Sequence, residues 1–224
     1  MRPLTLITPK PLVPLSKRWS SLLVLLDSIE KLLRENERIF LIFGYCCEPY
    51  YRYLKYRNVN VIVDERLRGT AGQLRPLIDN FNISDALILN GDLLISDKCL
   101  REIFNRSRES RSKFIIFLLK RKFKYGVIDL SGKTPRWIEK PSFLTVTGIY
   151  KVDMSLMKKI LEEIGKDHVD MNEVVTYLHE SGIDVEYVCL NCDEDDIIDI
   201  GTPLDFVKSL TLLNKDDIYV TSAR

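Results

Sequence analysis

Apolar and polar residues follow one another along this chain with a period that switches between helical and strand-like. The segment SSLLVLLDSIEKLLREN places Leu22, Leu26, Ile29 and Leu33 at helical spacing, which predicts an amphipathic helix. The apolar run RIFLIFG follows it and stops at Gly44, as a buried strand does. The chain therefore opens with one helix and one strand.

The same alternation continues to about residue 120. Three further runs predict strands, namely VNVIVDE, DALILNGD and KFIIFLLK, and three segments predict helices, namely EPYYRYLKY, GTAGQLRPLIDNF and DKCLREIFNRSRES. Strands that alternate with helices favour an α/β fold, with a parallel sheet covered on both faces. In such sheets ligands lie beyond the carboxyl ends of the strands, so the residues after each strand are the candidates for chemistry.

From about Tyr125 the pattern becomes shorter. The segments YGVIDLSGKTPRWIEKP and TVTGIYKVD predict short strands in an antiparallel insertion at one side of the sheet. Helices are predicted for DMSLMKKILEEIG, MNEVVTYLHESG and PLDFVKSLTLLNK, and strands for DVEYVCL and DIIDIGTP. No repeat or linker interrupts the chain, so we expect residues 1–224 to form a single domain.

Composition narrows the function classes. The 224 residues are 46% hydrophobic, and 33 basic against 32 acidic residues leave a net charge of +1. Such a balance offers no basic field for nucleic acid or a membrane surface. The sequence contains no apolar run of membrane-spanning length and no signal-peptide core, which predicts a cytoplasmic protein. The oligomeric state is left open, and a homo-oligomer is one option.

The five cysteines predict no metal site. Cys189 and Cys192 form one C-x-x-C, which could be half of a zinc site or a redox pair, but no second C-x-x-C accompanies it. Cys99 stands alone in a predicted helix. We therefore expect buried and loop thiols.

Two aspartates follow predicted strands. Asp92 ends the run Asn90-Gly91-Asp92, where Gly91 lets a ligand approach the backbone, and Asp199 precedes Gly201. Each alone is more often a helix cap or a turn residue. Together, at neighbouring strand ends, they predict a site for Mg²⁺, which takes one or two carboxylates together with substrate phosphates.

Cations and amides complete a phosphate-binding set. Lys10 lies between Pro9 and Pro11, which predicts a stiff, extended, non-helical segment. Lys140 lies in the insertion, and the Gly-rich turn at residues 69–72 opens a helix whose amides can receive an anion or a base edge. The set suits phosphoryl or nucleotidyl transfer; a P-loop enzyme is disfavoured because no Walker loop is present.

The ordered motifs RPLTLITPKPLVP, GTAG, LNGD, YGV, IEKP, GIY and DIGTP resemble those of the sugar-1-phosphate nucleotidyltransferases. The resemblance is greatest to mannose-1-phosphate guanylyltransferases and to glucose-1-phosphate thymidylyl- or uridylyltransferases. It implies a three-layer α/β/α Rossmann-like domain with a mostly parallel mixed sheet. It also implies a nucleoside triphosphate and a sugar 1-phosphate as substrates and Mg²⁺ as cofactor.

The resemblance assigns roles to particular residues. Lys10, Asp92 and Asp199 would be catalytic, with the two aspartates holding Mg²⁺. The expected nucleotide contacts are Arg2, Lys10, Gly69, Thr70, Ala71, Gly72 and Gly91. The expected contacts to the sugar phosphate are Gly126, Glu139, Lys140 and Gly148.

One departure from the family pattern keeps alternatives open. The family begins with an apolar strand and a G-x-G-T-R loop that this sequence lacks before Arg2. Since that strand is central in the sheet, we expect a gap in the core and two unpaired strand edges. The alternatives are a catalytically impaired relative that binds sugar nucleotide as a regulatory or scaffolding subunit and, less favoured, a glycosyltransferase, for which a D-x-D motif is missing at residues 90–92.

Overall fold

The fold is described from a computed structural model. The structure describes residues 9–15, 20–44, 48–55, 57–122, 127–129, 136–138 and 142–214. Eight helices occur in these ranges. They are α1 (Ser21–Glu30), α2 (Glu48–Leu54), α3 (Gly69–Gly72), α4 (Arg75–Asn80), α5 (Asp97–Glu109), α6 (Met154–Ile164), α7 (Met171–Glu180) and α8 (Pro203–Asn214).

The described ranges also contain ten strands. They are β1 (Ile39–Phe43), β2 (Val59–Val63), β3 (Asp85–Leu89), β4 (Leu93–Ile95), β5 (Phe114–Lys122), β6 (Val127–Asp129), β7 (Arg136–Ile138), β8 (Ser142–Asp153), β9 (Glu186–Cys189) and β10 (Ile197–Asp199). Four of them form a sheet in the order β3-β8-β5-β9, and the others form the pairs β1-β2, β4-β10 and β6-β7.

Strand β5 shows how the layers are built. Ile115 and Phe117 belong to one buried apolar cluster, together with side chains of α1 and α5. Phe114 and Ile116 belong to a second cluster, together with side chains of α6 and α7. Because successive side chains of a strand point to opposite faces, this near-continuous apolar strand is covered by helices on both sides. The predicted α/β/α fold class is confirmed.

Antiparallel pairing is more extensive than the predicted, mostly parallel sheet. Pairs β1-β2 and β5-β9 are parallel, whereas β8 runs antiparallel to both β3 and β5. The segment TVTGIYKVD was expected in a small insertion, and that expectation is wrong: it is part of β8, which has 12 residues and lies inside the four-stranded sheet. Turn-forming residues lie close to this segment, so the sequence pattern did not show the full length of β8. That length is defined by its pairing with β3 and β5.

Strands β1 and β3 each have one partner in the described part of the chain. Strand β1 pairs with β2, and β3 pairs with β8. Both strands nevertheless send side chains to the same two clusters, Leu41 and Leu89 to the first and Ile42 and Ile88 to the second. The gap in the core and the two unpaired strand edges that the sequence analysis expects stay predictions.

The expectation of buried and loop thiols is wrong for two cysteines. Cys99 on α5 forms a disulfide with Cys192, with their Cα atoms 5.9 Å apart. The backbone NH of Asn191 donates to the Glu102 carboxylate at 3.1 Å, which holds the loop against α5. Since 93 residues separate the two cysteines, their sequence spacing carried no sign of the pairing. Cys189 is a free, exposed thiol.

Within the described ranges, every helix is too short or too polar to cross a membrane.

Candidate active site

Three predicted catalytic residues meet at one place. The Lys10 ammonium forms an ion pair with Asp92 Oδ2 and lies 3.2 Å from Asp199 Oδ1. The aspartates are neighbours because β4 and β10 pair antiparallel, with Asp199 opposite Leu93. The start of one strand therefore meets the end of the other, and both carboxylates reach a single cation.

Short backbone contacts hold the turn that carries Asp92. The NH of Leu93 donates to the Asn90 carbonyl at 3.3 Å, and the NH of Ile200 donates to the Asp92 carbonyl at 3.2 Å. The first bond closes the turn between β3 and β4, and the second links it to the residue after Asp199. The strand β4 was not predicted, because its three residues are too few to show a period.

Lys10 reaches the site from a helical turn. The expectation of an extended, non-helical segment is wrong, since Lys10–Leu12 form a 3₁₀ turn. Pro9 and Pro11 do not prevent it, because proline is compatible with the first turn of a helix, where an NH has no partner. The hydroxyl of Ser21 donates to the Pro11 carbonyl at 3.2 Å and lies 3.4 Å from the Gly91 carbonyl. Helix α1 thus connects the lysine turn to the Asp92 turn.

The two carboxylates stabilise the charged lysine. Burial by itself lowers the pKa of Lys10, but the hydrogen bond and charge of Asp92, together with the charge of Asp199, raise the pKa above its usual value. The ammonium group is therefore fully protonated at neutral pH. A positive charge sits between two hard oxygen ligands.

A polar cavity opens beside Asp199. Its volume is about 290 Å³, near the lower end of the range for small-molecule sites. Strand β8 forms one wall, and the β4-β10 pair forms another. The lining residues are Asn90, Leu93, Arg121, Val146, Thr147, Gly148, Tyr150, Ile197 and Asp199. Burial raises the pKa of the Tyr150 phenol, so this group is a neutral hydroxyl at neutral pH.

Glycine is required at position 148 by the backbone conformation and by the neighbouring side chain of Asn90. Its φ is +77°, and a Cβ atom built there would lie 2.8 Å from Nδ2 of Asn90. A side chain would therefore suffer both backbone strain and overlap. The structure places the predicted sugar contact Gly148 in the cavity wall.

The turn at residues 69–72 is not among the residues that line this cavity, and its amides make contacts within the protein. The NH of Thr70 donates to Asp170 Oδ1 at 2.9 Å, and the NH groups of Ala71 and Gly72 donate to the Val169 carbonyl at 3.0 and 2.9 Å. These three amides are thus not open to an anion or a base in this structure. The assignment of Gly69, Thr70, Ala71 and Gly72 to nucleotide binding stays a prediction.

Four predicted contacts lie outside the described residues. They are Arg2, Gly126, Glu139 and Lys140. The structure instead adds residues that the sequence analysis missed, above all Asn90, Arg121 and Tyr150 in the cavity wall. Asn90 lies within the LNGD motif and Tyr150 ends GIY, so the motifs contained a signal for those two. Arg121 carried none, because it falls at the end of a strand outside every motif.

The chain was compared with known families. A family profile described as nucleotidyl transferase matches residues 1–215. This chain belongs to the nucleotidyl transferase family. The predicted resemblance is confirmed at the level of the family.

Sequence relatives match most of this chain but are themselves longer proteins. The bifunctional protein GlmU of Methanococcus maripaludis is 28% identical in an alignment of length 194 that covers 81% of this chain and 44% of that protein. The mannose-1-phosphate guanylyltransferase catalytic subunit beta of Danio rerio is 26% identical in an alignment of length 180 that covers 71% of this chain and 48% of that protein. The chain thus spans about half the length of these relatives.

Solved structures support the fold. A putative glucose-1-phosphate thymidylyltransferase from Bacillus anthracis superposes with a TM-score of 0.73 at 18% identity, over 97% of this chain and 91% of the other. HddC from Yersinia pseudotuberculosis complexed with GMP-PN gives a TM-score of 0.65 at 20% identity, over 92% and 90% of the two chains. At these identities the comparison concerns the architecture.

The carboxylates of Asp92 and Asp199 are the candidate ligands for a divalent cation. Asp92 and Asp199 are close enough to share one positive charge, which is now that of Lys10. No group of three or more His, Cys, Asp or Glu side chains suited to a metal occurs among the residues that the structure describes. A Mg²⁺ ion would therefore take two ligands from the protein and the others from substrate oxygens and water.

Proposed function

We propose that this nucleotidyl transferase moves a nucleotidyl group from a nucleoside triphosphate to a sugar 1-phosphate, with Mg²⁺ as the cofactor. The products are a nucleotide sugar and pyrophosphate. The observation that carries the proposal is the cluster of Lys10, Asp92 and Asp199 beside a polar cavity. One end of this site suits phosphates and a metal ion, and the other suits a small polyol.

The reaction requires few covalent roles of the protein. An oxygen of the sugar phosphate attacks the α-phosphorus, the bond from that phosphorus to the bridging oxygen of the β-phosphate breaks, and pyrophosphate leaves with the electron pair. Positioning and neutralisation of charge supply most of the acceleration of such transfers. When bound, Mg²⁺ would polarise the phosphate oxygens.

Each residue has a defined task in this proposal. Asp92 and Asp199 would hold the metal ion. With a metal ion held by the two carboxylates, the Lys10 ammonium would be free to contact the triphosphate. Asn90 and Tyr150 offer an amide and a hydroxyl to the sugar, and the absence of a side chain at Gly148 leaves room for the Asn90 amide.

The experiment is a matrix of substrates. The purified chain is mixed with MgCl₂, each of the common ribo- and deoxyribonucleoside triphosphates, and each of a panel of hexose 1-phosphates, and released pyrophosphate is measured. We expect release for at least one pair, dependent on the sugar phosphate and absent with EDTA. An Asp195→Asn variant, which alters a carboxylate paired with Lys208 outside the site, is the matched control and should remain active.

Two outcomes would contradict the proposal. The first is absence of pyrophosphate release with every pair, and the second is release that does not require a sugar phosphate. Binding of a nucleotide sugar without turnover would favour the regulatory or scaffolding subunit that the sequence left open.

A further inference from the structure

Arg121 is a charged residue of the cavity for which neither a motif nor the proposed chemistry has a role. It lies at the end of β5, on the face of the strand that also carries Phe117 and Leu119. Its side chain lines the same cavity as Asp199, Asn90 and Gly148. A guanidinium group is always charged at physiological pH.

Two neutral groups fix the orientation of this guanidinium. Its Nε–H donates to Oγ1 of Thr145 at 3.2 Å, and Nη2 donates to the Ile197 carbonyl at 3.3 Å. The Thr145 hydroxyl in turn donates to the Leu119 carbonyl at 3.1 Å, so its oxygen is the acceptor for Arg121. The side chain is thereby held between β8 and β10.

These two contacts neither neutralise the positive charge of Arg121 nor use all of its N–H donors. An arginine has five N–H groups in one plane, and the two contacts use one at Nε and one at Nη2. Both acceptors are neutral, so they do not compensate the positive charge. Among the described residues, Arg121 forms no ion pair with a carboxylate; Asp199 in the same cavity is already paired with Lys10.

We propose that Arg121 binds an oxyanion of the sugar substrate and so selects an anionic sugar for this cavity. The inference rests on the proposed function, because it concerns the same site. The planar fork of N–H groups matches two oxygens of a phosphate or a carboxylate. The volume of about 290 Å³ suits a monosaccharide rather than a nucleoside triphosphate.

Two sources could supply this oxyanion. One is the phosphate at C1 of a hexose 1-phosphate, and the other is a carboxylate on the ring, as in a hexuronic acid. Three probes separate them: the hexose 1-phosphate that supports turnover (glucose 1-phosphate where none does), the same hexose without phosphate, and the corresponding hexuronic acid. Each is titrated into the whole chain by isothermal calorimetry.

The variants are Arg121→Gln, Arg121→Lys and, as a matched control, Lys120→Gln. Lys120 is the adjacent residue on β5, is exposed and faces away from the cavity. We expect Arg121→Gln to weaken binding of one anionic probe by about 10- to 100-fold, the usual effect of losing hydrogen bonds to a charged group. Arg121→Lys should restore part of the affinity, since it keeps the charge but loses the fork. Lys120→Gln should bind as the wild type does.

The probe that responds identifies the source of the oxyanion. A loss with the hexose 1-phosphate points to the C1 phosphate, and a loss confined to the hexuronic acid points to a ring carboxylate. If Arg121→Gln proves unstable by thermal unfolding, Arg121→Lys decides the matter: it must raise the Kd or the KM for the anionic sugar while kcat changes little.

Equal affinities of the wild type and Arg121→Gln for all three probes would overturn the inference, and so would a wild type that binds none of them. Such a result is distinct from failure of the proposed function, which is measured by pyrophosphate release. A chain without turnover whose binding of an anionic sugar still depends on Arg121 would refute the activity and support the inference.

Discussion

The ammonium nitrogen of Lys10 lies 3.2 Å from Oδ1 of Asp199, although 189 residues separate the two along the chain. The same ammonium also pairs with Asp92. The Lys10 ammonium bridges the two carboxylates and therefore lies where a divalent ion bound by both of them would lie. A divalent ion that binds these carboxylates would therefore compete with the Lys10 ammonium.

Replacing Lys10 with Met should tighten binding of Mg²⁺ to the chain without nucleotide. The ammonium no longer competes for the carboxylates, and a partly exposed ion pair is worth up to about 1 kcal/mol, which corresponds to roughly fivefold in Kd. Titration with MgCl₂ by calorimetry measures the change. Lys166→Met, which removes an exposed lysine paired with Glu173, is the control. Equal or weaker affinity in Lys10→Met would contradict the metal assignment.

The substitution Asp199→Asn should lower the rate of pyrophosphate release by about 100-fold or more. It keeps the shape of the side chain but removes one charge from the pair of metal ligands, and metal charge contributes several kcal/mol to such transition states. Steady-state rates at several Mg²⁺ concentrations test this, with Asp195→Asn as the reference. Activity near that of the wild type at low Mg²⁺ would rule out Asp199 as a ligand.

The substitution Gly148→Ala should destabilise the fold and impair binding of the sugar substrate. The left-handed backbone costs about 1 kcal/mol for alanine, and overlap with Asn90 at 2.8 Å adds about as much again. Gly182→Ala is the matched control, because Gly182 has a φ of +66° but no atom within 4 Å of a built Cβ. The Gly182→Ala variant should lose only the stability that the left-handed backbone costs an alanine. Thermal unfolding and KM are the measurements; equal losses in the two variants would show that the overlap with Asn90 is relieved without cost.

Opening the Cys99–Cys192 disulfide should lower the free energy of unfolding by about 2–4 kcal/mol, because the bond closes a long loop of the unfolded chain. Unfolding of the oxidised protein is compared with that of Cys192→Ser, and a non-reducing peptide map identifies the linked cysteines. Cys189→Ser, which changes the exposed free thiol, should unfold as the wild type does. A map that links Cys189 with Cys192 would contradict the pairing.

The contact between His168 and Asp170 should make the docking of α7 depend on pH. The Leu67 carbonyl, 2.7 Å from Nδ1, and the Asp170 carboxylate, 3.4 Å from Nε2, raise the pKa of His168 above its usual value. A raised pKa means that the folded state holds the proton more tightly than the unfolded state. The stabilising effect is therefore complete below the unfolded pKa of about 6.5 and is lost as the pH rises through the folded pKa.

The variant His168→Gln tests this sign. Its melting temperature should fall below that of the wild type at pH 5–6, and the difference should shrink towards pH 8.5. The same comparison with His179→Gln controls for loss of a surface histidine elsewhere. A difference that grows with rising pH would be opposite to the expectation.

Much of the element pattern was accessible from the sequence. The helical spacing of Leu22, Leu26 and Ile29 predicted α1, and the apolar run at 39–43 predicted β1. The lengths of the strands and the identities of their partner strands were harder to predict, because both depend on neighbours in space. Strand β8 was taken for part of an insertion, and β4 was missed since three residues show no period.

The sequence by itself determined the class of the fold, the family and the motif residues, because periodicity and motif order are properties of neighbouring positions along the chain. The tertiary structure decided which of these residues meet. Antiparallel pairing of β4 with β10 brings Asp92 to Asp199, and the packing of α5 brings Cys99 to Cys192. The tertiary structure also places Arg121, which belongs to no motif, in the wall of the cavity. Such contacts join positions some 75 to 190 residues apart, and only the packing of the whole core selects them.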